Sequence, residues 1–317
     1  MGLIFLLVWL NYLNCLLRLL LAVALLVLFR FAPVSAQELE PRQLSNVPVG
    51  MKFIGVGAGH SRGQLLLDSA IPIDDFQSRI YSTAIAYVQA ISFFGMSAKV
   101  DALIPIVRGH WSAIYEGEPA TRDRFGMADP RLRLSVNFLG SPALSLPEFI
   151  LYRPKTVVGL SVQVIAPLGQ YDKTSLLNLS SNRWTIKTQL GISHTFNKWI
   201  AEAYASVWIF TDNDDFFGGR YVDQEPLFTA TAHLIRILNG GKWIGVDVGY
   251  GYGGKSIVDS VPATGQLDAF RFGIVFSMPL TATHAMKFSY SSSFRIERGP
   301  DYDAYAVAWV YRWGGGM

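Results

Sequence analysis

Sulfur chemistry is nearly absent from this chain. Its one cysteine, Cys15, lies in an apolar N-terminal stretch, so no disulfide can staple the rest of the 317 residues. Charge is scarce too. Asp, Glu, Lys and Arg make up 16% of the residues against 50% hydrophobic ones, which excludes a disordered polyelectrolyte. Setting aside Arg18 and Arg30 of the N-terminal stretch leaves 25 basic residues against 24 acidic ones, and without a basic excess no nucleic-acid partner is expected. The histidines, His60, His110, His194, His233 and His284, are dispersed, and none stands in a Gly-x-Ser-x-Gly or His-Glu-x-x-His setting. The chain is therefore read as a non-enzyme with no catalytic residue, no metal and no cofactor. The run Gly55-Val-Gly-Ala-Gly59 lacks the helix that a phosphate-binding loop needs, and its glycines are read as easing strand curvature.

Long apolar runs are missing after residue 36, where no stretch reaches the roughly 18 residues that a membrane helix requires. Before that point, Leu16 to Phe29 is almost continuously apolar and leads into Ala32-Pro-Val-Ser-Ala36-Gln37. Small residues at a signal-peptidase site, with Pro33 breaking the helix ahead of it, read as a signal peptide over 1–36. A permanent anchor is the competing reading, because the basic region before the run is thin. Residues 37–50 would then form a short periplasmic segment, and 51–317 the folded domain.

What the sequence does have is alternation. In Arg131-Leu-Arg-Leu-Ser-Val-Asn-Phe138 the apolar residues share one face of a strand and the polar ones the other. The same period returns at 183–193, 270–278 and 286–296, and weaker forms occur at 51–62, 79–92, 98–108, 156–167, 199–211, 226–238, 242–253 and 304–313. Each is at least about the 9 to 11 residues of a tilted membrane strand. Links between them alternate in length. Those at 93–97, 196–198, 239–241 and 280–284 are short, whereas 63–78, 109–128, 168–181, 212–225, 254–265 and 297–303 are longer and polar. This is the rhythm of periplasmic turns and external loops. One link, 141–154, breaks the rhythm, and its apolar stretch Leu144 to Tyr152 suggests a short helix against the barrel end.

The expected fold is all-β: a transmembrane antiparallel up-and-down β-barrel of about twelve strands with periplasmic termini. A soluble β-sandwich or lipocalin-like barrel also alternates, but its solvent face should be densely charged, and here the polar face is mostly Ser, Thr, Gly and Gln. Trp184, Trp199, Trp208, Trp243, Trp309, Tyr311 and Trp313 fall near strand ends, where amphipathic rings prefer a membrane interface. The last strand, Tyr305 to Trp313, ends in an aromatic and resembles the signal read by the barrel-assembly machinery, so that machinery and outer-membrane lipid are expected partners.

Several stretches carry a family likeness: Gln43-Leu-Ser-Asn-Val-Pro-Val-Gly50, Gly126-Met-Ala-Asp-Pro-Arg-Leu-Arg-Leu-Ser-Val-Asn137, Ala166-Pro-Leu-Gly-Gln-Tyr171, Asn182-Arg-Trp184, Phe210-Thr-Asp-Asn-Asp-Asp-Phe-Phe-Gly-Gly219 and Tyr311-Arg-Trp-Gly-Gly315. With them the chain resembles the outer-membrane β-barrel family of MetA-pathway phenol degradation proteins, often called transporters. The resemblance spans nearly the whole mature chain. It implies an outer-membrane barrel admitting aromatic or other apolar compounds, and it brings no catalytic residues.

If the apolar faces meet lipid, the other faces line a lumen. Arg131, Arg133, Arg183, Lys187, Arg271, Lys287, Arg295 and Arg312 would then point inward with Asp101, Glu202 and Asp247, a basic excess that favours anionic or electron-rich solutes. The bland alternative is that these charges pair and hydrate the interior. At the mouth, Phe216 and Phe217 with Trp111 and Tyr115 would capture a small aromatic solute. The carboxylates of Asp212, Asp214 and Asp215 depart from EF-hand spacing, since Phe216 stands where a ligand belongs. The function expected is a channel or transporter for small aromatic or apolar molecules. The alternatives are a lipase- or esterase-like barrel and a non-conducting structural barrel.

Overall fold

The computed structural model describes residues 39–316 apart from 66–72, 116, 263–265 and 299, so the expected signal peptide lies outside the described residues. The first half of the chain gives β1 (Met51–Leu65), β2 (Ile73–Phe93), β3 (Met96–Tyr115), β4 (Glu118–Met127), β5 (Arg131–Pro142), the helix α1 (Leu146–Leu151), β6 (Thr156–Ile165), β7 (Thr185–Phe196) and β8 (Trp199–Phe210). The second gives β9 (Asn213–Phe216), β10 (Arg220–Gln224), β11 (Leu227–Ile237), β12 (Trp243–Gly253), β13 (Ser256–Val258), β14 (Val261–Pro262), β15 (Leu267–Pro279), β16 (His284–Arg298) and β17 (Pro300–Gly314).

Twelve of these strands form a closed antiparallel barrel in the order β1-β2-β3-β5-β6-β7-β8-β11-β12-β15-β16-β17, and β17 pairs back onto β1 from Gly314 opposite Met51 to Pro300 opposite Leu65. Closure leaves no unpaired edge in the ring, which is what a sheet in hydrocarbon demands. The side chains are sorted inside out relative to a soluble protein. Leu132 is 56% exposed while its neighbour Arg133 is 8% exposed, and Leu190 is 52% exposed while Gln189 is 6% exposed. Successive strand residues face opposite sides, so the outer surface is an apolar belt and the polar residues turn inward. Among the described residues no helix is long and apolar enough to cross a membrane.

One end carries tight turns. The β2–β3 hairpin turns on Phe94 (φ 50°) and Gly95 (φ 80°), the pair of positive φ values that matches strand twist across a two-residue link. The exceptional link at this end does contain a helix. Ser145 opens α1, its backbone N–H and hydroxyl both donating to Glu148 Oε2 at 2.8 and 2.6 Å, and Ile150 and Leu151 stand exposed on it.

The opposite end is more ordered than the sequence suggested. The 109–128 stretch, read as a loop, extends β3 and returns as β4, which pairs with it from Ile106–Met127 to Tyr115–Glu118. The stretches 212–225 and 254–265 supply β9, β10, β13 and β14, a separate four-stranded sheet. β4 is exposed along most of its length, and the other four strands run only two to five residues, too short for a period to show.

Candidate functional site: a plugged lumen beneath an aromatic mouth

Residues 37–50 were expected outside the barrel as a lead-in; the described part, 39–50, runs through its interior instead. Side chains on four barrel strands hold it by its backbone and its polar groups. Lys99 on β3 donates to the carbonyls of Gln43 and Ser45. Asn137 on β5 donates to the Leu44 carbonyl at 2.9 Å, and Gln189 on β7 to Gln43 Oε1 at 2.6 Å. Glu202 on β8 accepts the Arg42 N–H at 2.6 Å while also accepting Tyr204 and Ser193 hydroxyls at 2.9 and 3.0 Å. Nearer the turns, Val49 N–H donates to Leu144 O and Gly50 N–H to Ala90 O, so the segment enters the barrel beside α1.

The reason it fits lies in missing side chains. Inward positions on β6 and β7 are Gly159 and Gly191, and a Cβ there would stand 2.6 and 3.2 Å from the Leu44 methyls. On β12 and β15, Gly249 and Gly273 accept Leu39 in the same way, each Cβ falling 2.9 Å from a Leu39 methyl. Leu44 is 4% exposed and packs with Val157 and Tyr204. The inward glycines are thus grooves for a plug.

Charge anchors the far end of the plug. Arg133 donates through Nη1 to Glu40 at 2.9 Å and through Nε to Asp101 at 2.8 Å. Burial pushes the Glu40 carboxyl up, but Arg133, Lys287 and Lys187 outweigh that and hold it at about 2.

The lumen residues named from sequence divide as follows. Asp101, Arg133, Lys187, Glu202, Asp247 and Arg271 are all buried. Lys187 lies 4.7 Å over the Trp208 ring, and Arg271 stacks on Tyr302 at 3.9 Å while donating to its hydroxyl. Asp247 pairs with His233 at 2.6 Å, and the far nitrogen of that ring meets Thr231 Oγ1 at 3.2 Å; both paired side chains are wholly buried, so the dyad presents no surface to a substrate. Arg131 at the start of β5 and Lys287 on β16 are half-buried. Two residues fall at the barrel ends. Arg183 precedes β7, stacks on Phe210 and bonds Gln224 of the outer sheet, and Arg312 is exposed beside the turns, donating to Ala282 O at 2.8 Å. Arg295 lies outside the described side chains. The basic residues do not ring an open bore, because the plug occupies it and takes part of their hydrogen bonding.

Above the plug, at the long-loop end, a cavity of about 250 Å³ is walled by Phe76, Trp111, Leu176, Leu177 and Phe217, with Arg122 at its side. Trp111 and Phe217 therefore meet in one pocket. Phe216, the last residue of β9, is not among its walls, and the Tyr115 side chain lies outside those described. The stretch 168–181, which supplies one wall, is fixed by a residue that sequence reasoning passed over. Asp129, in the break between β4 and β5, accepts Gly169 N–H at 3.0 Å and Ser181 N–H and hydroxyl at 2.8 and 3.0 Å. Asp172 bonds Arg124 at 2.8 Å, and with Thr174 and Ser175 that arginine holds its carboxyl far below the usual range. In the acidic stretch Asn213, not an aspartate, organises the chain: it donates to Tyr171 OH and accepts from Asn182 and from Asp215 N–H.

Comparison with known proteins agrees with this architecture. An outer membrane channel from Pseudomonas putida F1 superposes with a TM-score of 0.72 at 19% identity, over 87% of this chain and 100% of that one. The transport unit of the autotransporter AIDA-I from Escherichia coli gives 0.49 at 7% identity (86% and 92% covered), and the β domain of a Bordetella autotransporter gives 0.47 at 13% (84% and 100%). Among curated proteins no match is found. The family model described as "Putative MetA-pathway of phenol degradation" matches residues 58–308, nearly the whole barrel, and the chain belongs to that family.

Proposed function

We propose that this protein is an outer-membrane channel for small, largely apolar or aromatic molecules, which enter at the Trp111–Phe217 cavity and pass when the 39–50 segment yields. The carrying observation is the aromatic cavity at the loop end of a closed barrel whose bore is filled by an irregular, side-chain-held segment. A segment held by sheet pairing would be permanent; one held by a handful of side-chain hydrogen bonds is displaceable. In this reading residues 1–36 direct export, the barrel-assembly machinery reads the β17 end, and the turn end faces the periplasm.

The test is swelling of vesicles containing the folded protein in iso-osmotic phenyl β-glucoside, an aromatic solute too polar to cross the bilayer unaided, against Trp111→Ala/Phe217→Ala. Entry is expected to fall several-fold in the double variant. Equal entry removes the mouth from the pathway. A second reading, a non-conducting scaffold, is favoured by the filled bore, and absence of any swelling or conductance would establish it. Selectivity from the basic lumen residues predicts anion preference in a reversal-potential measurement.

A further inference from the structure

Gln163 on β6 is out of keeping with its surroundings. It is 1% exposed, and neither its amide nitrogen nor its amide oxygen has a hydrogen-bond partner. Buried amides are almost always satisfied, and a leucine of similar size would fill the space without leaving two polar atoms unmatched. Its cross-strand neighbours are Arg133 on β5 and Lys187 on β7. Arg131 lies one inward step along β5, and Lys187 rests on the Trp208 face. One buried amide is thus set among three cations at the level where Arg133 grips Glu40 of the plug.

We infer that Gln163, Arg133 and Lys187 form a binding site for a small α-hydroxycarboxylate, whose carboxylate and hydroxyl stand on adjacent carbons. The carboxylate accepts from Gln163 Nε2 and Lys187 Nζ, and the hydroxyl donates to Gln163 Oε1, which satisfies both amide atoms at once. The same carboxylate competes with Glu40 for Arg133, so its arrival loosens the plug. This second step rests on the channel reading, whereas binding itself does not. No covalent chemistry is involved.

Calorimetric titration of the micelle-folded protein with lactate, an α-hydroxycarboxylate, tests the site. Wild type is expected to bind, Gln163→Leu and Lys187→Met to bind at least tenfold more weakly, and Leu160→Ile, on the outer face of β6, to bind within about twofold of wild type. The Gln163→Leu barrel, relieved of an unsatisfied amide, should melt no lower than wild type, which separates lost binding from lost folding. Wild-type affinity in both variants, or no binding by wild type, overturns the site. Vesicle swelling run in parallel separates the two ideas: swelling by wild type with Gln163-independent binding refutes the site and keeps the channel, and Gln163-dependent binding without swelling keeps the site and refutes the channel.

Discussion

Replacing Lys99 by methionine is the most direct probe of the plug. The Lys99 ammonium donates to two plug carbonyls, those of Gln43 and Ser45, and a hydrogen bond with a charged partner contributes roughly 1.5–3 kcal/mol. Losing both removes about 3–6 kcal/mol from the seated state, while methionine preserves the packing of the aliphatic stem. The ratio of released to seated plug then rises by about 10²- to 10⁴-fold, at roughly 1.4 kcal/mol per factor of ten. Other anchors remain, among them Asn137 on the Leu44 carbonyl and Gln189 on Gln43, so the segment is weakened and not abolished. Single-channel recording in planar bilayers reads the ratio directly as open probability. An increase of at least a hundredfold, or saturation near full opening, is expected with unchanged strand content by circular dichroism. Open probability equal to wild type in a folded Lys99→Met barrel would refute the assignment of the 39–50 segment as the gate.

Acid should act on the same equilibrium. The Glu40 carboxyl is held at about 2 against an ordinary value of 4.5, so its ionisation stabilises the seated plug fully above about 4.5, and that contribution is lost as pH falls from 4.5 toward 2. Open probability is expected to rise across that window in wild type and to show no Glu40-dependent step in Glu40→Gln. Asp129→Ala removes three hydrogen bonds to the 168–181 stretch, and proteolysis within that stretch should accelerate at least about tenfold with little change in barrel melting; unchanged cleavage would show that the clamp is dispensable. Leu160, at the middle of β6 and 42% exposed opposite Leu190, should cost about 2–4 kcal/mol on replacement by arginine in urea unfolding from lipid vesicles. A neutral result would mean that this face does not meet hydrocarbon.

The barrel was legible because lipid imposes its demand locally. Every second residue of a spanning strand must be apolar whatever its neighbours are, so Leu132, Leu134 and Phe138 announce β5 without any knowledge of β3 or β6. The hairpin of β3 and β4 was not legible, because Glu118-Pro-Ala-Thr-Arg-Asp-Arg projects past the membrane and meets water on both faces. Trp111 and Phe217 stood out as large rings in polar connections, whereas Phe216 carried the same signal and faces elsewhere. The plug was the largest omission. Gln43 to Gly50 has no period to read, and its seat is written in single residues scattered over distant strands.

A signal for that seat did exist in principle. Gly159 and Gly191 fall directly opposite each other in the β6–β7 register, and Gly249 lies on the same inward face of β12 as Asp247, which stands opposite Gly273 on β15. Small residues gathered on the inner wall of adjacent strands mean that something other than a side chain fills the bore. The two faces of this barrel therefore answer to different partners: the outer one to a uniform solvent that tolerates any apolar residue, the inner one to a single irregular segment. A larger residue at Leu44 would need more room than Gly159 and Gly191 leave, while an exchange of Leu160 for isoleucine would need none. Tolerance to substitution should accordingly alternate along β6 with the pleat, and its tight positions should be those that touch the plug.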